Sequence, residues 1–439
     1  MTAAVNYPIL DLWSDLVDSH TGIVREVREL FVDDDEPPFV HYLSTTSSTE
    51  AFGLLPNFGS NGGVGLNPQT AIAKALGEAV ERYCSAMFSY DDLVWAPYGA
   101  LREPATPPTS FTLYSAAQYA LPAFPWQRFD PDSSTVAWVR GRSLVTGRDI
   151  LVPAAFVYVP YHYQRSRGET PIAQPISTGL ACGDSLEEAT LSALCEVIER
   201  DAFTITWQAM LRRNRISLAD LPDDLLDIVR RYHSVGLSVH LVDITTDVAC
   251  PTVLSVAEGF TSTSPAVAVA AAAHPIASVA SRKSLEELAH TRKYAAQVMD
   301  YLPPVRVDIA GGHPEVNGQR AHLRFYCPQD AKDAASFLWQ GEGEVSLHSL
   351  DTRTDVRLDT MVAEVAATGE DVVAVNLTTP DIADLGLHVV RVVVPGFHPL
   401  HMGHINRCLG GQRLRTVPAR FGAVGFSTER DNPYPHPFP

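Results

Sequence analysis

The chain has few cysteines, and none is spaced for a metal site or a disulfide framework. Its six cysteines stand at positions 84, 182, 195, 250, 327 and 408, and no two form a C-x-x-C pair. The sequence therefore predicts neither a zinc site nor a disulfide scaffold. The common nucleotide signatures are missing as well, because no G-x-x-x-x-G-K-[ST] loop and no G-x-G-x-x-G run follows a strand pattern. Any nucleotide site here is neither a P-loop nor a Rossmann site.

Basic charge and long apolar runs are also scarce. The formal net charge is −18, which argues against binding to nucleic acid or to anionic membranes. The most apolar stretch, 265–280, is too short to span a membrane and is broken by Pro275. The N-terminus mixes acidic residues throughout and has no secretory pattern. We expect a soluble, cytoplasmic protein, and its 46% hydrophobic residues suffice for a sizeable core.

One segment of the chain occurs twice. Residues 65–82 and 183–200 superimpose without a gap at an offset of 118. Each copy carries two glutamates and an arginine at helical spacing, namely Glu78, Glu81 and Arg82 in the first copy and Glu196, Glu199 and Arg200 in the second. Positions three and four apart lie on one helix face. Bringing the copies together would gather these four carboxylates, with Glu188 upstream on nearly the same side.

Clustered carboxylates indicate a divalent cation. They raise one another's pKa, and Mg²⁺ held by carboxylates and phosphate oxygens relieves the repulsion. The alternative is a pair of solvated helix faces with Glu/Arg pairs worth about 0.2–0.5 kcal/mol each, but two copies in register favour a site. A glycine-rich run precedes each helix, at 59–65 and 177–183. A glycine-rich turn that opens a helix is an anion site, so we expect a nucleotide phosphate bridged by magnesium.

These segments resemble the YcaO superfamily. Ala75–Arg82 resembles its SxxExxER signature, and Ser177–Arg200 resembles its STGLAxGxxxEEAxxxALxExxER segment almost throughout. Lys283–His290 resembles the family helix ALxExxQ, and the resemblance continues through 376–381 and 392–396 to cover roughly residues 40–439. The tail Pro433–Pro439 is a stiff polyproline II pattern; it resembles the terminal PxPxP of azoline-forming YcaO cyclodehydratases.

The resemblance implies an α/β (α+β) architecture, the YcaO fold, with internally duplicated strand-loop-helix units around one ATP site. Residues 1–40 would be an N-terminal extension, 41–425 the catalytic domain, and 426–439 a tail that reaches the active site. The implied reaction is ATP-dependent cyclodehydration of a ribosomally made peptide. A Cys, Ser or Thr side chain attacks the preceding carbonyl, and ATP phosphorylates the resulting hemiorthoamide oxygen so that phosphate leaves and a thiazoline or oxazoline forms.

The resemblance also assigns roles to residues. The carboxylates expected to hold Mg²⁺ are Glu78, Glu81, Glu196 and Glu199. The residues expected to bind ATP are these four together with Glu188, Ser177, Glu287, His290 and Arg282. The expected catalytic groups are Arg82, Arg200 and the terminal carboxylate of Pro439. Glu286 and Glu287 compete for one motif position, because the local register is ambiguous.

The chain departs from the family pattern at three positions. Ala75 stands where the family has serine, Gly63-Val64-Gly65 lacks the usual lysine, and His290 replaces glutamine. Another cation must then face the phosphates, and the third motif offers Arg282, Lys283 and Arg292. Thioamide or macroamidine formation, and a non-catalytic scaffold role, stay open as alternatives. A reactive Cys182 and a metal site at 398–404 are less favoured than structural roles.

The implied partners are a precursor peptide and a discrete ThiF-like leader-binding protein, because about forty residues before the core are too few for such a domain. The sequence leaves open whether an FMN-dependent azoline dehydrogenase acts afterwards, and whether the chain is a monomer or a homodimer. Hydrophobic periodicity predicts helices at 68–88, 186–212, 221–234 and 281–300, and strands at 136–141, 150–159, 238–243, 253–257, 266–272, 372–376 and 389–394.

Overall fold

The structure is a computed structural model that describes residues 7–51, 53, 55–306, 312–341, 343–351, 355–425, 427 and 431–438. Its strands are β1 Val24–Glu29, β2 Val40–Thr46, β3 Ser60–Gly65, β4 Val94–Ala96, β5 Val136–Ser143, β6 Asp149–Pro153, β7 Leu180–Gly183, β8 Arg215–Ile216, β9 Ser238–Asp243, β10 Thr252–Glu258, β11 Val267–Ala273, β12 Glu344–Val345, β13 Val373–Asn376 and β14 His388–Val393. Its α-helices are α1 Trp13–Leu16, α2 Pro68–Ala86, α3 Ala116–Tyr119, α4 Leu186–Gln208, α5 Asp223–His233, α6 Ala277–Tyr301, α7 Gln319–Phe325, α8 Lys332–Ala335, α9 Leu347–Leu350, α10 Leu358–Ala366, α11 Pro380–Asp384 and α12 Arg413–Arg420.

The described strands form three sheets. One runs β1-β2-β3, a second runs β11-β10-β9-β8-β12, and a third runs β4-β5-β13-β14-β7 with β6 paired to β5. Pairing is antiparallel except between β8 and β12. Helices and sheets alternate along the chain, which confirms the predicted α/β (α+β) class.

The repeat is a strand followed by a long helix in both copies. β3 leads into α2, and β7 leads into α4. Each helix begins at a side-chain cap: Asn67 accepts a hydrogen bond from Thr70 N–H, and Ser185 accepts one from Glu188 N–H. Pro68 follows the first cap at a position where proline loses no helical hydrogen bond. These caps explain why the helix starts agree with the predicted ones.

The glycine-rich runs are largely strands rather than turns that open the helices, and that part of the prediction is wrong. Residues 60–65 form β3, which is hydrogen-bonded to β2, and residues 180–183 form β7, which is hydrogen-bonded to β14. Glycine is needed at position 63 because a β-carbon there would stand 1.9 Å from the Ala71 carbonyl oxygen. At Gly183 it would stand 2.8 Å from the Ala189 nitrogen. The glycines thus let each strand lie directly against its own helix.

Most predicted elements lie within a few residues of the observed ones, but the strand predicted at 150–159 is wrong in its second half. β6 ends at Pro153, and a 3₁₀ turn covers Ala154–Phe156. Proline has no N–H to give to a ladder, so the strand stops there. None of the helices in the described part of the chain has the length and apolar character needed to cross a membrane.

Candidate nucleotide and metal site

The two glutamates of the first repeat helix accept hydrogen bonds from two different strands. Glu78 accepts a hydrogen bond from Gly62 N–H of β3 at 2.9 Å, and its other oxygen lies 3.2 Å from Arg82 Nη2. Glu81 accepts a hydrogen bond from Cys182 N–H of β7 at 3.0 Å. Glu81 of the first repeat is therefore bonded to the strand of the second.

The second repeat helix shows the same arrangement around its arginine. Arg200 Nη1 lies 2.7 Å from Glu199 Oε1, and Arg200 Nη2 lies 3.5 Å from Glu196 Oε1. Burial raises the pKa of Glu196, and the charges of Arg200 and Arg82 oppose that rise. Glu78 and Glu196 thus correspond, since each pairs with the arginine four residues later on its own helix.

The two pairs of glutamates form one electrostatic group. Burial, with the charges of Glu78 and Glu196 adding to it and that of Arg82 opposing it, raises the pKa of Glu81 to about 8. Burial likewise raises the pKa of Glu199 to about 8, with Glu196 and Glu287 adding to it and Arg200 opposing. Because Glu196 acts on glutamates of both repeats, the sequence prediction that the copies meet agrees with the geometry.

This donor set fits a hard divalent cation. Carboxylates whose pKa is raised by burial and by one another are poorly stable as anions until a cation joins them. Over the described ranges, no three His, Cys, Asp or Glu side chains converge closely enough to hold an ion unaided. Mg²⁺ is usually bound by one or two carboxylates together with substrate phosphates, so it does not need an all-protein cage.

Helix α6 borders the group with its third-motif residues. The charge of Glu287 acts on both Glu199 and Arg200. Glu286, one position earlier, is buried and forms a 2.6 Å ion pair with Lys74 of α2. The His290 ring lies against β3, where a β-carbon on Gly62 would be 2.1 Å from its Cε1. Both members of the ambiguous glutamate pair therefore face the repeat helices.

Other predicted residues have surroundings of their own. Glu188 is exposed at the first turn of α4, and Ser177 is half-buried in the turn before β7. Arg282 pairs with Asp224 of α5, and Arg292 donates to Ser264 Oγ at 2.8 Å. These contacts direct the two arginines away from the repeats.

Pro439 lies outside the described residues. The thiol of Cys182 has a pKa well above its ordinary value, chiefly through burial and then through Glu81. A raised pKa disfavours the reactive thiolate, so a structural role fits Cys182. Residues 398–404 form a loop that ends in a 3₁₀ turn at His404–Asn406.

Arg391 is a buried cation that the sequence reasoning missed. It stands on β14, and its Nη2 donates to the Ile176 carbonyl at 2.6 Å. Its Nε and Nη1 are buried and have no hydrogen-bond partner among the described atoms. Its positive charge lowers the pKa of Glu196, against the effect of burial, which raises that pKa. An arginine alone in the valine-rich run 388–394 was the available signal.

The proline-rich tail packs against the second repeat. Phe438 is fully buried, with its ring centroid 4.4 Å from the Arg200 guanidinium carbon and 4.5 Å from the Phe203 ring centroid. Upstream, Tyr326 donates to the Pro435 carbonyl at 2.5 Å. The last described residue of the tail thus touches the arginine that binds Glu196 and Glu199.

Comparison with known proteins identifies the family. Residues 62–398 match the family described as YcaO cyclodehydratase, ATP- and Mg²⁺-binding. An uncharacterised protein of Methanothermobacter thermautotrophicus is 28% identical over 295 residues, which are 64% of this chain and 70% of that protein. ATP and Mg²⁺ are the cofactors of this family, and the carboxylate group fits them.

Solved structures share the fold. A heterocyclase in complex with substrate and cofactor superimposes with a TM-score of 0.79 at 23% identity, covering 99% of this chain and 57% of that one. YcaO from Methanopyrus kandleri, bound with AMPPCP and Mg²⁺, gives a TM-score of 0.63 at 21% identity, covering 92% and 90% of the two chains. The chain therefore spans little more than half of the heterocyclase, and at these identities the likeness concerns the fold alone.

Proposed function

The chain belongs to the YcaO family, and from that membership we propose that it is an ATP-dependent peptide cyclodehydratase. It converts Cys, Ser or Thr residues of a ribosomally synthesised precursor into thiazolines or oxazolines. Bound Mg·ATP supplies the phosphoryl group that turns a poor leaving group, the amide oxygen, into a good one. The chain's own residues position the reactants and neutralise charge, which is most of what phosphoryl transfer needs.

The contact between Phe438 and Arg200 is the observation that favours azoline formation over other YcaO reactions. A proline-rich end is the feature by which the chain resembles azoline-forming members, and Phe438 packs on the arginine of the carboxylate group. This contact supports a tail, 426–439, that enters the site and brings the Pro439 carboxylate to the substrate. There the carboxylate would accept the proton of the attacking side chain or orient the peptide.

The remaining roles follow from charge and position. Glu78, Glu81, Glu196 and Glu199 are proposed to hold Mg²⁺. Arg82 and Arg200 keep the carboxylates oriented and balance the charge of the group, as their short contacts with Glu78 and Glu199 allow. Glu188, Ser177, Glu287 and His290 are proposed as outer nucleotide contacts. Arg282, which pairs with Asp224 in the structure, is proposed as a further outer contact.

A leader-binding partner is part of the proposal. The resemblance implies a ThiF-like protein that delivers the precursor peptide, and we expect weak turnover without it. A domain organisation of extension, catalytic unit and tail, divided at residues 40 and 425, is proposed on the same basis.

Mass spectrometry of a precursor peptide tests the proposed reaction. A candidate precursor peptide is incubated with the protein, a leader-binding partner and Mg·ATP. We expect successive losses of one water, coupled to phosphate release. Glu199→Gln should abolish both signals, whereas the exposed Glu344→Gln, matched in chemistry, should leave them unchanged. Replacement of oxygen by sulfur in the product would show thioamide formation instead, and absence of nucleotide binding would leave a scaffold role.

A further inference from the structure

The nucleotide site needs a cation that the first motif does not supply. The loop 63–65 carries no lysine. Arg282 and Arg292 contact Asp224 and Ser264, and the charge of Lys283 acts on Glu199 of the second repeat. We propose that Lys74 is the phosphate-facing cation of the nucleotide site, held in place by Glu286. This inference rests on the proposed function only in its use of ATP, and not on azoline formation.

Lys74 lies on the same face of the first repeat helix as a glutamate of the carboxylate group. Lys74 lies four residues before Glu78, so the two side chains share one face of α2. Glu78 on that face bonds the β3 backbone at Gly62, against which the His290 ring also lies. Lys74 therefore lies in the space bounded by α2, β3 and α6, among residues that the family motifs place at the nucleotide.

Lys74 forms an ion pair that leaves its ammonium group partly exposed. Lys74 Nζ lies 2.6 Å from Glu286 Oε2, and the glutamate side chain is 7% exposed whereas the lysine side chain is 34% exposed. The carboxylate thus fixes one side of the ammonium and leaves part of it open to solvent. An ammonium has three donors, so Lys74 can keep Glu286 and still donate to a phosphate oxygen.

The second copy of the repeat has no lysine at the position that corresponds to Lys74. The residue that corresponds to Lys74 in the second copy is Ser192, at the same offset of 118. Ser192 is exposed on α4. The positive charge is therefore a property of the first copy alone, which is the copy whose preceding strand lacks the expected lysine. A lysine one helical turn before Glu78 supplies that charge from the helix.

Nucleotide binding measured without peptide tests this role. Isothermal titration calorimetry of Mg·AMPPNP with Lys74→Met should give a dissociation constant at least tenfold weaker than wild type. Affinity for AMP, which lacks the outer phosphates, should be nearly unchanged. Lys74→Arg should restore most of the loss, because it keeps the positive charge. The affinity of the wild type should also fall more steeply with salt than that of Lys74→Met.

Matched variants separate this role from a structural one. Lys332→Met removes a lysine that pairs with Glu258 at 3.7 Å, away from the repeats, and should leave the dissociation constant unchanged. Arg282→Met and Arg292→Met should weaken Mg·AMPPNP less than Lys74→Met does. Equal losses for AMP and AMPPNP, or an unchanged AMPPNP affinity with Lys74→Met, would overturn the proposal. Because no peptide is present, these results are independent of whether the product proves to be an azoline.

Discussion

Metal-nucleotide binding should tighten as the pH rises, because two of the carboxylates hold protons in the metal-free protein. Burial and neighbouring carboxylates raise the pKa of Glu81 and Glu199 to about 8. A cation needs the ionised forms, so binding must release those protons. Below pH 8, proton release therefore opposes binding.

The magnitude follows from the pKa. Each carboxylate that must ionise weakens binding about tenfold, or about 1.4 kcal/mol, for every pH unit below its pKa. With both Glu81 and Glu199 involved, the dissociation constant of Mg·AMPPNP should fall by up to about a hundredfold per unit between pH 6 and pH 8. Above that range it should level off.

Glu199→Gln makes the reasoning testable in two ways. The variant should lose one proton from the pH slope, measured by calorimetry in buffers of different ionisation enthalpy. It should also stabilise the metal-free protein near pH 8. A folded-state pKa above the unfolded value means that stability falls as the pH rises from about 4.5 to about 8, and glutamine removes this loss.

The outcome that would refute this reasoning is a flat pH profile. If the dissociation constant is the same at pH 6, 7, 8 and 9 in wild type, the carboxylates are already ionised or do not meet the cation. The exposed Glu344→Gln is the control, and it should show the wild-type slope and the wild-type melting temperature. Titration of the nucleotide's own phosphates cancels in the comparison between variants.

Three further outcomes test the fold around the site. Gly63→Ala should lower the free energy of unfolding by about 1–3 kcal/mol, because the new methyl group would clash with a helix carbonyl. Gly59→Ala is the control, because its methyl group would enter open space. Urea denaturation compares the two variants. Asp201→Asn removes one of the two buried carboxylates that pair with Arg413 and should cost about 1–3 kcal/mol by thermal denaturation, since Asp247 still pairs with the guanidinium. The exposed Asp359→Asn should cost less. Acidification below about pH 6.5 should loosen the tail, because burial lowers the pKa of His322 and the docked state cannot take up the proton that the undocked state binds. Hydrogen exchange of residues 431–438 measures this loosening. An unchanged exchange rate at pH 5 would contradict it.

The tail's dependence on His322 follows from hydrogen-bond directions. His322 Nδ1 lies 2.9 Å from the His436 carbonyl, which can only accept, so Nδ1 carries the hydrogen. Its Nε2 accepts from Gly403 N–H at 3.0 Å and must keep its lone pair. The ring is thus held neutral while it clamps the tail. Protonation would place a hydrogen on Nε2 of His322, which would then face the Gly403 N–H with no acceptor between them.

The sequence predicted the elements that local chemistry determines. Caps at Asn67 and Ser185 define the starts of α2 and α4, and helical spacing brings each arginine to its glutamates. The exact repeat of this pattern at one offset was enough to predict that the two copies share a site. These are contacts within four residues or between equivalent segments, and a single sequence contains them.

The missed features depend on contacts between distant segments. Lys74 meets Glu286 across 212 residues, and Arg391 reaches the Ile176 carbonyl across 215. No spacing rule joins such positions. The glycine runs were expected to be turns, but glycine in a turn and glycine in a strand that lies against a helix look alike in sequence. The pairing of β3 with β2 and of β7 with β14 shows that the runs are largely strands.

Burial of the repeat glutamates is hard to explain as a source of stability. Arg82 and Arg200 offset only part of the desolvation, because the pKa of Glu81 and of Glu199 still rises to about 8. A chain selected for stability alone would gain from replacing such groups with apolar ones of similar volume. Both copies keep them, and Glu81 is bonded to the strand of the opposite copy, so one half cannot arrange its carboxylates without the other. We propose that Mg·ATP joins the two halves and so recovers the stability given up in the metal-free state. Ligand binding should then raise the melting temperature of wild type more than that of Glu199→Gln.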